Sequence, residues 1–172
     1  QTCKQIVAPF LMQGSFRELL HLWKFQNHPH LSPLMAHLLA TTTAVNAQPE
    51  PIQQKLHEHR ILVPIPTQWH RQVRRGLDPT WLRAQALRPA IGRENRVRPW
   101  LRNTQLRRAQ HRSNRADRWV NHSGRFVAAA CAEGQHITLV DDVITTGATV
   151  GAAVEACSAA GAHSVEVWAL AR

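Results

Sequence analysis

Asp141 and Asp142 lie side by side, and Thr145, Thr146, Gly147, Ala148 and Thr149 follow two residues later. Glycine lets a backbone approach a phosphate closely, and threonine hydroxyls donate to its oxygens. A carboxylate pair accepts hydrogen bonds, so it matches the two hydroxyls of a ribose, directly or through Mg²⁺. Together these residues describe a pocket for a ribose 5-phosphate. The acid pair alone would equally serve as a turn or helix cap, so the weight rests on the loop after it. Neither the GxxxxGK[ST] spacing of a P-loop nor a GxGxxG dinucleotide fingerprint occurs in the chain.

The elements that must hold this loop are legible around it. Ile137, Leu139 and Val140 are β-formers in a short apolar run, expected as a buried strand of the parallel type. The strand is expected to end at the two acids, where a turn would bring both carboxylates to one side. Val150 to Ala160 is alanine-rich and reads as a helix, with Gly161 just past its end. Strand, tight loop and helix start make an anion site, because free N–H groups and the positive end of the helix point into the loop. Val165, Val167, Trp168 and Leu170 then read as a last strand.

Upstream, Phe16, Leu19, Leu20 and Trp23 fall at helical spacing, with Ser15 as cap and Glu18 three residues on. A second helix is expected over 32–41, with Ser32 as cap and Pro33 at its first position. Pro49 and Pro51 mark a turn, and 53–59 is polar. Ile61, Leu62, Val63 and Ile65 read as another buried strand, ended by Pro64 and Pro66. The following loop, 67–76, carries Arg71, Arg74 and Arg75; such a loop is either a solvated basic turn or a second anion site at the carboxyl end of a strand. A helix is expected over 79–87. Alternation of strands and helices from Ile61 to Leu170 argues an α/β fold, a parallel sheet with helices on both faces. One compact unit over 10–172 is expected, with residues 1–52 a helical region and 53–172 the sheet domain.

Residues 93–125 hold ten of the chain's 21 basic residues (arginines 93, 96, 98, 102, 107, 108, 112, 115, 118 and 125) against only Glu94 and Asp117. Three readings stay open: a lid whose arginine forks bind phosphate oxygens, a charged helix over 105–119, or a track for single-stranded nucleic acid with Trp100, Trp119 and Phe126 as stacking platforms. The formal charge of +10 favours anionic partners. Cys3, Cys131 and Cys157 are odd in number and far apart, which argues against a disulfide framework or zinc site and for a reducing, cytoplasmic setting. The eleven histidines lack metal-ligand spacing. No apolar run is long enough to span a membrane and no signal peptide is visible. Because the chain opens on Gln1, part of the N-terminus is expected to lie outside it.

LVDDVITTGAT resembles the phosphoribosyl-pyrophosphate (PRPP) motif of the type I phosphoribosyltransferases. From Phe16 onward the chain also resembles the ComF/GntX family, which is associated with competence and DNA utilisation. The matching stretches are GSFRELLHLWKF, LVPIP with RRG, RNTQLRRAQHRSNR, LVDDVITTGAT and GAHSVEVWALAR. The resemblance implies a type I phosphoribosyltransferase-like fold with a small helical or hood region. It implies PRPP or a nucleoside 5′-phosphate as ligand, with Mg²⁺ held indirectly by Asp141 and Asp142. Residues Thr145, Thr146, Gly147, Ala148 and Thr149 would hold the 5-phosphate, and Arg74, Arg75, Arg108 and Arg112 would neutralise pyrophosphate. Turnover as a pentosyl transferase, self-association and contact with the DNA-uptake machinery are left open. Two departures stand out: of the family's N-terminal Cys-rich zinc module only Cys3 remains, and Leu77, Asp78 and Pro79 replace the usual Phe-Asn-Gln. The extra acid would weaken pyrophosphate binding.

The nucleic-acid reading makes its own prediction. A short single-stranded DNA held by the arginine-rich stretch would lose affinity with salt, with a log–log slope of about −0.7 per phosphate neutralised. Titration at several salt concentrations reads that slope, and a flat or absent response would remove this reading.

Overall fold

Short, largely apolar segments pair side by side in one parallel sheet. The computed structural model describes residues 3–25, 28–46, 60–66, 81, 84–86, 96–104 and 124–172. Within these, β1 (Gln5–Val7), β2 (Ile61–Pro64), β3 (Arg96–Val97), β6 (His136–Val143) and β7 (Ser164–Ala171) form a five-stranded, all-parallel sheet of order β1-β7-β6-β2-β3. A separate antiparallel pair, β4 (Leu101–Asn103) and β5 (Phe126–Ala128), lies beside it. The helices are α1 (Gly14–Phe25), α2 (Ser32–Asn46) and α3 (Ala148–Ala159).

The pleat sorts side chains into two cores. Ile61, Val63, Ile137, Leu139, Val165 and Val167 face Val150, Ala153, Val154 and Cys157 of α3, together with Leu101 and Phe126 of the β4–β5 pair. The alternate positions Leu62, Val140, Trp168 and Leu170 face Leu20 and Trp23 of α1, Met35 and Leu39 of α2, and Ala84. Both sheet faces are therefore covered, which is why β2 reads as a continuous apolar run. The expected α/β architecture, a parallel sheet with helices on both faces, is the one observed.

Several boundaries shift. Helix α1 starts at Gly14, whose φ of +54° suits glycine, so Ser15 lies inside the helix and does not cap it. Helix α2 continues past Thr41 to Asn46. Thr41 and Thr42 turn their hydroxyls back onto carbonyls of the preceding turn, which satisfies these polar residues within the helix. Ser32 accepts a hydrogen bond from the indole N–H of buried Trp23 at 3.0 Å. A buried indole needs a partner, and its first-turn neighbour supplies one.

β1, β3, β4 and β5 were not expected from the sequence. In β3 and β4, exposed Arg96 and Arg102 alternate with buried Val97, Leu101 and Asn103, so the charge run conceals a two-residue period. Phe126 is 3 % exposed and packs toward α3, so it is core and offers no stacking platform for a base. Trp81 and residues 84–86 are helical, within the helix expected over 79–87. The polar segment 53–59, the loop 67–76, Trp119 and the helix or lid expected within 105–119 lie outside the described residues.

Cys157, fully buried in α3, yields a stability prediction. Burial raises its thiol pKa to about 12 from an ordinary value of 9.0. The folded state therefore holds this proton where the unfolded state releases it. The resulting stabilisation is complete below pH 9 and is lost as pH rises toward 12. In a Cys3→Ser, Cys131→Ser background, Cys157 should resist thiol reagents at pH 8 until denaturant is added. Rapid labelling of the native chain would contradict this.

Candidate phosphate-binding site

The central strands β2 and β6 are hydrogen-bonded neighbours, yet the chain leaves them in opposite directions. From β2 it passes outward to β3, and from β6 it passes through α3 to β7 on the other side. Right-handed crossovers running in opposite directions must lie on opposite faces of a sheet. The packing agrees: α3 covers one face, and Ala84, between β2 and β3, packs on the other. At such a switch point the loops beyond the carboxyl ends of the two strands part and leave a crevice.

The strand ladder marks where the crevice begins. β2 and β6 pair from Ile61↔Ile137 to Pro64↔Val140, closed by Ile65 N–H donating to the Val140 carbonyl at 2.9 Å. β6 then continues along β7 alone, through Asp141↔Ala169 to Val143↔Ala171. The chain was expected to turn at the two acids. It stays extended through them, so the pleat directs Asp141 and Asp142 to opposite faces of the strand. Asp141 is buried at 8 % exposure and Asp142 is half-buried. Each carboxylate accepts the N–H of the next residue, at 2.7 Å for Asp141 and 2.8 Å for Asp142.

Ile144 donates its N–H to Ala171 at 2.9 Å, and only then does the chain turn. Thr145 and Thr146 are exposed, and Gly147 occupies the left-handed region at φ +77°, ψ −9° as N-cap of α3. Gly147 has no side chain with which to cap this helix, and the first turn holds no acid. The nearest substitute is a long contact of 3.4 Å from Ala148 N–H to the Thr146 hydroxyl. Most helices begin on Ser, Thr, Asp or Asn, which satisfy the orphan N–H groups. Here those donors and the positive helix end face the loop, an arrangement suited to an anion.

A residue that the sequence reading had left among the arginine run also reaches this loop. Arg125 Nη1 donates to Thr149 Oγ1 at 2.9 Å, and its guanidinium carbon sits 5.3 Å from the centre of the Phe126 ring. The backbone there is fixed by Thr104 N–H donating to the Arg125 carbonyl at 2.9 Å and by the ladder Asn103↔Phe126. Thr104 and Arg125 are thus tied together beside the amino end of α3. What could have revealed Arg125 is its place directly before the apolar strand FVA. Arg74, Arg75, Arg108 and Arg112 lie outside the described residues.

On the other side of the loop, a groove of about 570 Å³ is lined by residues 5–9, Ile144 and Arg172. It opens where Pro9, which has no N–H, interrupts the pairing of the N-terminal segment with β7 between Val7↔Trp168 and the Phe10↔Ala171 bridge.

No protein-family model and no curated protein matches the sequence. Among solved structures the chain is similar to one described as the allosteric regulatory enzyme of purine biosynthesis, with a TM-score of 0.56 and 17% identity over 87% of this chain. That protein carries the type I phosphoribosyltransferase fold. So does this chain. It spans 30% of the length of that structure, and at this identity the likeness concerns the fold alone.

Gly147 is the position where the loop tolerates least. A Cβ there would meet nothing within 4 Å, but the backbone angle is one that other residues adopt only under strain. Gly147→Ala is expected to cost about 1–2 kcal/mol, whereas Gly151→Ala, in open space and in a regular helix, should be neutral or stabilising. Denaturant unfolding of the two variants checks the contrast.

Proposed function

We propose that this chain is a phosphoribosyltransferase-like protein of the ComF/GntX type, which binds PRPP or a nucleoside 5′-phosphate together with Mg²⁺. The observation that carries the reading is the uncapped amino end of α3 behind Gly147, set beside Asp141 and Asp142 at the switch point of the sheet. Phosphate would take the helix N–H groups and the hydroxyls of Thr145, Thr146 and Thr149, and the ribose hydroxyls would take Asp142, the more exposed carboxylate, with Asp141 buried on the opposite face of the strand.

Asp141 and Asp142 are hard oxygen donors of the kind Mg²⁺ accepts, and they would hold the ion through water and the ribose hydroxyls. Bound there, Mg²⁺ would offset the negative charge of a departing pyrophosphate. The protein's own share is positioning and electrostatics: the loop fixes the 5-phosphate, and the carboxylates favour positive charge growing on the sugar. Pentosyl transfer is the reaction class that such a site supports. The loop 67–76, which follows the bond from Ile65 N–H to the Val140 carbonyl, carries Arg74 and Arg75 in sequence, and these are the candidates for pyrophosphate, with Arg108 and Arg112.

The task in DNA uptake or utilisation, and with it a cytoplasmic setting and partners in the uptake machinery, rests on the sequence resemblance. Among the described residues, no helix is long and apolar enough to cross a membrane. A non-catalytic factor binding single-stranded DNA keeps the charge of residues 93–125 but loses Phe126 to the core.

Thermal unfolding tests the proposal. PRPP with Mg²⁺ at about 100 times its dissociation constant should stabilise the chain by roughly 2.7 kcal/mol, a rise in Tm of about 5–10 °C. Asp142→Asn should abolish the rise. The proposal fails if PRPP, ribose 5-phosphate and a nucleoside monophosphate all leave Tm unchanged.

A further inference from the structure

The contact between Arg125 and Thr149 assigns a direction to a proton. A guanidinium carries donors only, so in the 2.9 Å bond from Arg125 Nη1 the Thr149 oxygen must be the acceptor. The hydroxyl hydrogen therefore points away from the arginine. Thr41 and Thr42, well inside α2, give their hydrogens to the carbonyls of His37 and Leu38 one turn back. Thr149 stands in the first turn of α3 and makes no other side-chain hydrogen bond among the described residues.

Charge points the same way. The first turn of α3 has no acid, and Arg125 has no carboxylate partner among the described residues. Its Nε is buried and unpartnered there. A positive helix end and a fixed guanidinium that share one hydroxyl are unfavourable neighbours until an anion arrives. Contact with the Phe126 ring and the strand ladder hold the arginine in place, so little ordering is left for ligand binding.

We propose that Arg125 is a positioning residue of the phosphate loop, which keeps the Thr149 hydroxyl as a donor and tunes the site to the dianion of a phosphomonoester. This rests on the phosphate-binding reading above and adds to it the part of Arg125, which would favour the doubly charged terminal phosphate over the singly charged diester of a nucleic acid strand. Because the second phosphate ionisation lies near pH 6, affinity should rise between pH 5 and 7 as the dianion forms.

The test is calorimetric titration of the full chain with ribose 5-phosphate and with its methyl diester, from pH 5 to 8. Arg125→Met, which keeps an apolar stem over Phe126, should weaken ribose 5-phosphate binding by about tenfold or more, the scale of one charge-assisted hydrogen bond. It should also flatten the pH profile and narrow the preference for monoester over diester. Arg125→Lys restores the charge without the fork and should fall between the two. Thr149→Val should weaken the wild type clearly but add little on top of Arg125→Met. Wild-type affinity and pH profile in both Arg125 variants, with binding still lost in Gly147→Val, would overturn the role of Arg125 and leave the phosphate site standing. Should Arg125→Met fail to fold, Arg125→Lys alone decides, and unchanged affinity in it overturns the role. No binding of either ligand by the wild type would overturn both.

Discussion

The parallel ladder between β2 and β6 is the constraint on which the site depends. It pairs four residues of β2, Ile61 to Pro64, with Ile137 to Val140, and both strands are buried along these rungs. Past Pro64, among the described residues, only Ile65 still donates to β6, and the prolines at 64 and 66 have no N–H with which to extend the ladder. β6 keeps β7 as a partner and so continues as a single-sided strand. The gap this opens is the crevice, and Asp141 and Asp142 stand along its edge.

The amino end of the sheet is closed in a different manner. Buried Arg60, just before β2, forms an ion pair with Glu166 on β7, passing over β6, and lies 6.0 Å from the Trp168 ring centre. Desolvation offsets most of the attraction in such a pair, so stability comes from the apolar faces, with charge neutralised at this end. At the carboxyl end the opposite holds. Arg125 and the start of α3 bring positive charge there, and Gly147, in a left-handed turn that glycine adopts freely, sits between them and the acids.

Much of this was readable from residue types. Ile137, Leu139 and Val140 gave a buried strand, Gly147 a turn, and Val150 to Ala160 a helix, because period and glycine geometry are local properties. β3 and β4 were hidden because their alternate residues are arginines, whose charge masks the period that Val97 and Leu101 keep. Phe126 looked available to a base because sequence shows an aromatic ring beside arginines and does not show that α3 covers it. The acids were expected at a turn since two carboxylates after an apolar run usually end a strand. Here β7 supplies hydrogen-bond partners as far as Val143, and pairing outlasts the apolar pattern.

The sequence by itself determined the class of the fold and the loop at its centre, since a strand, a glycine turn and an alanine-rich helix are written in contiguous residues. Only the tertiary structure decided which strands adjoin, that Asp141 and Asp142 take opposite faces, and that Arg125 meets Thr149 across 24 positions of sequence. The physical reason is that pairing and electrostatic contact depend on distance in space, and no local pattern along a chain encodes which distant segment will complete a ladder or face a helix end.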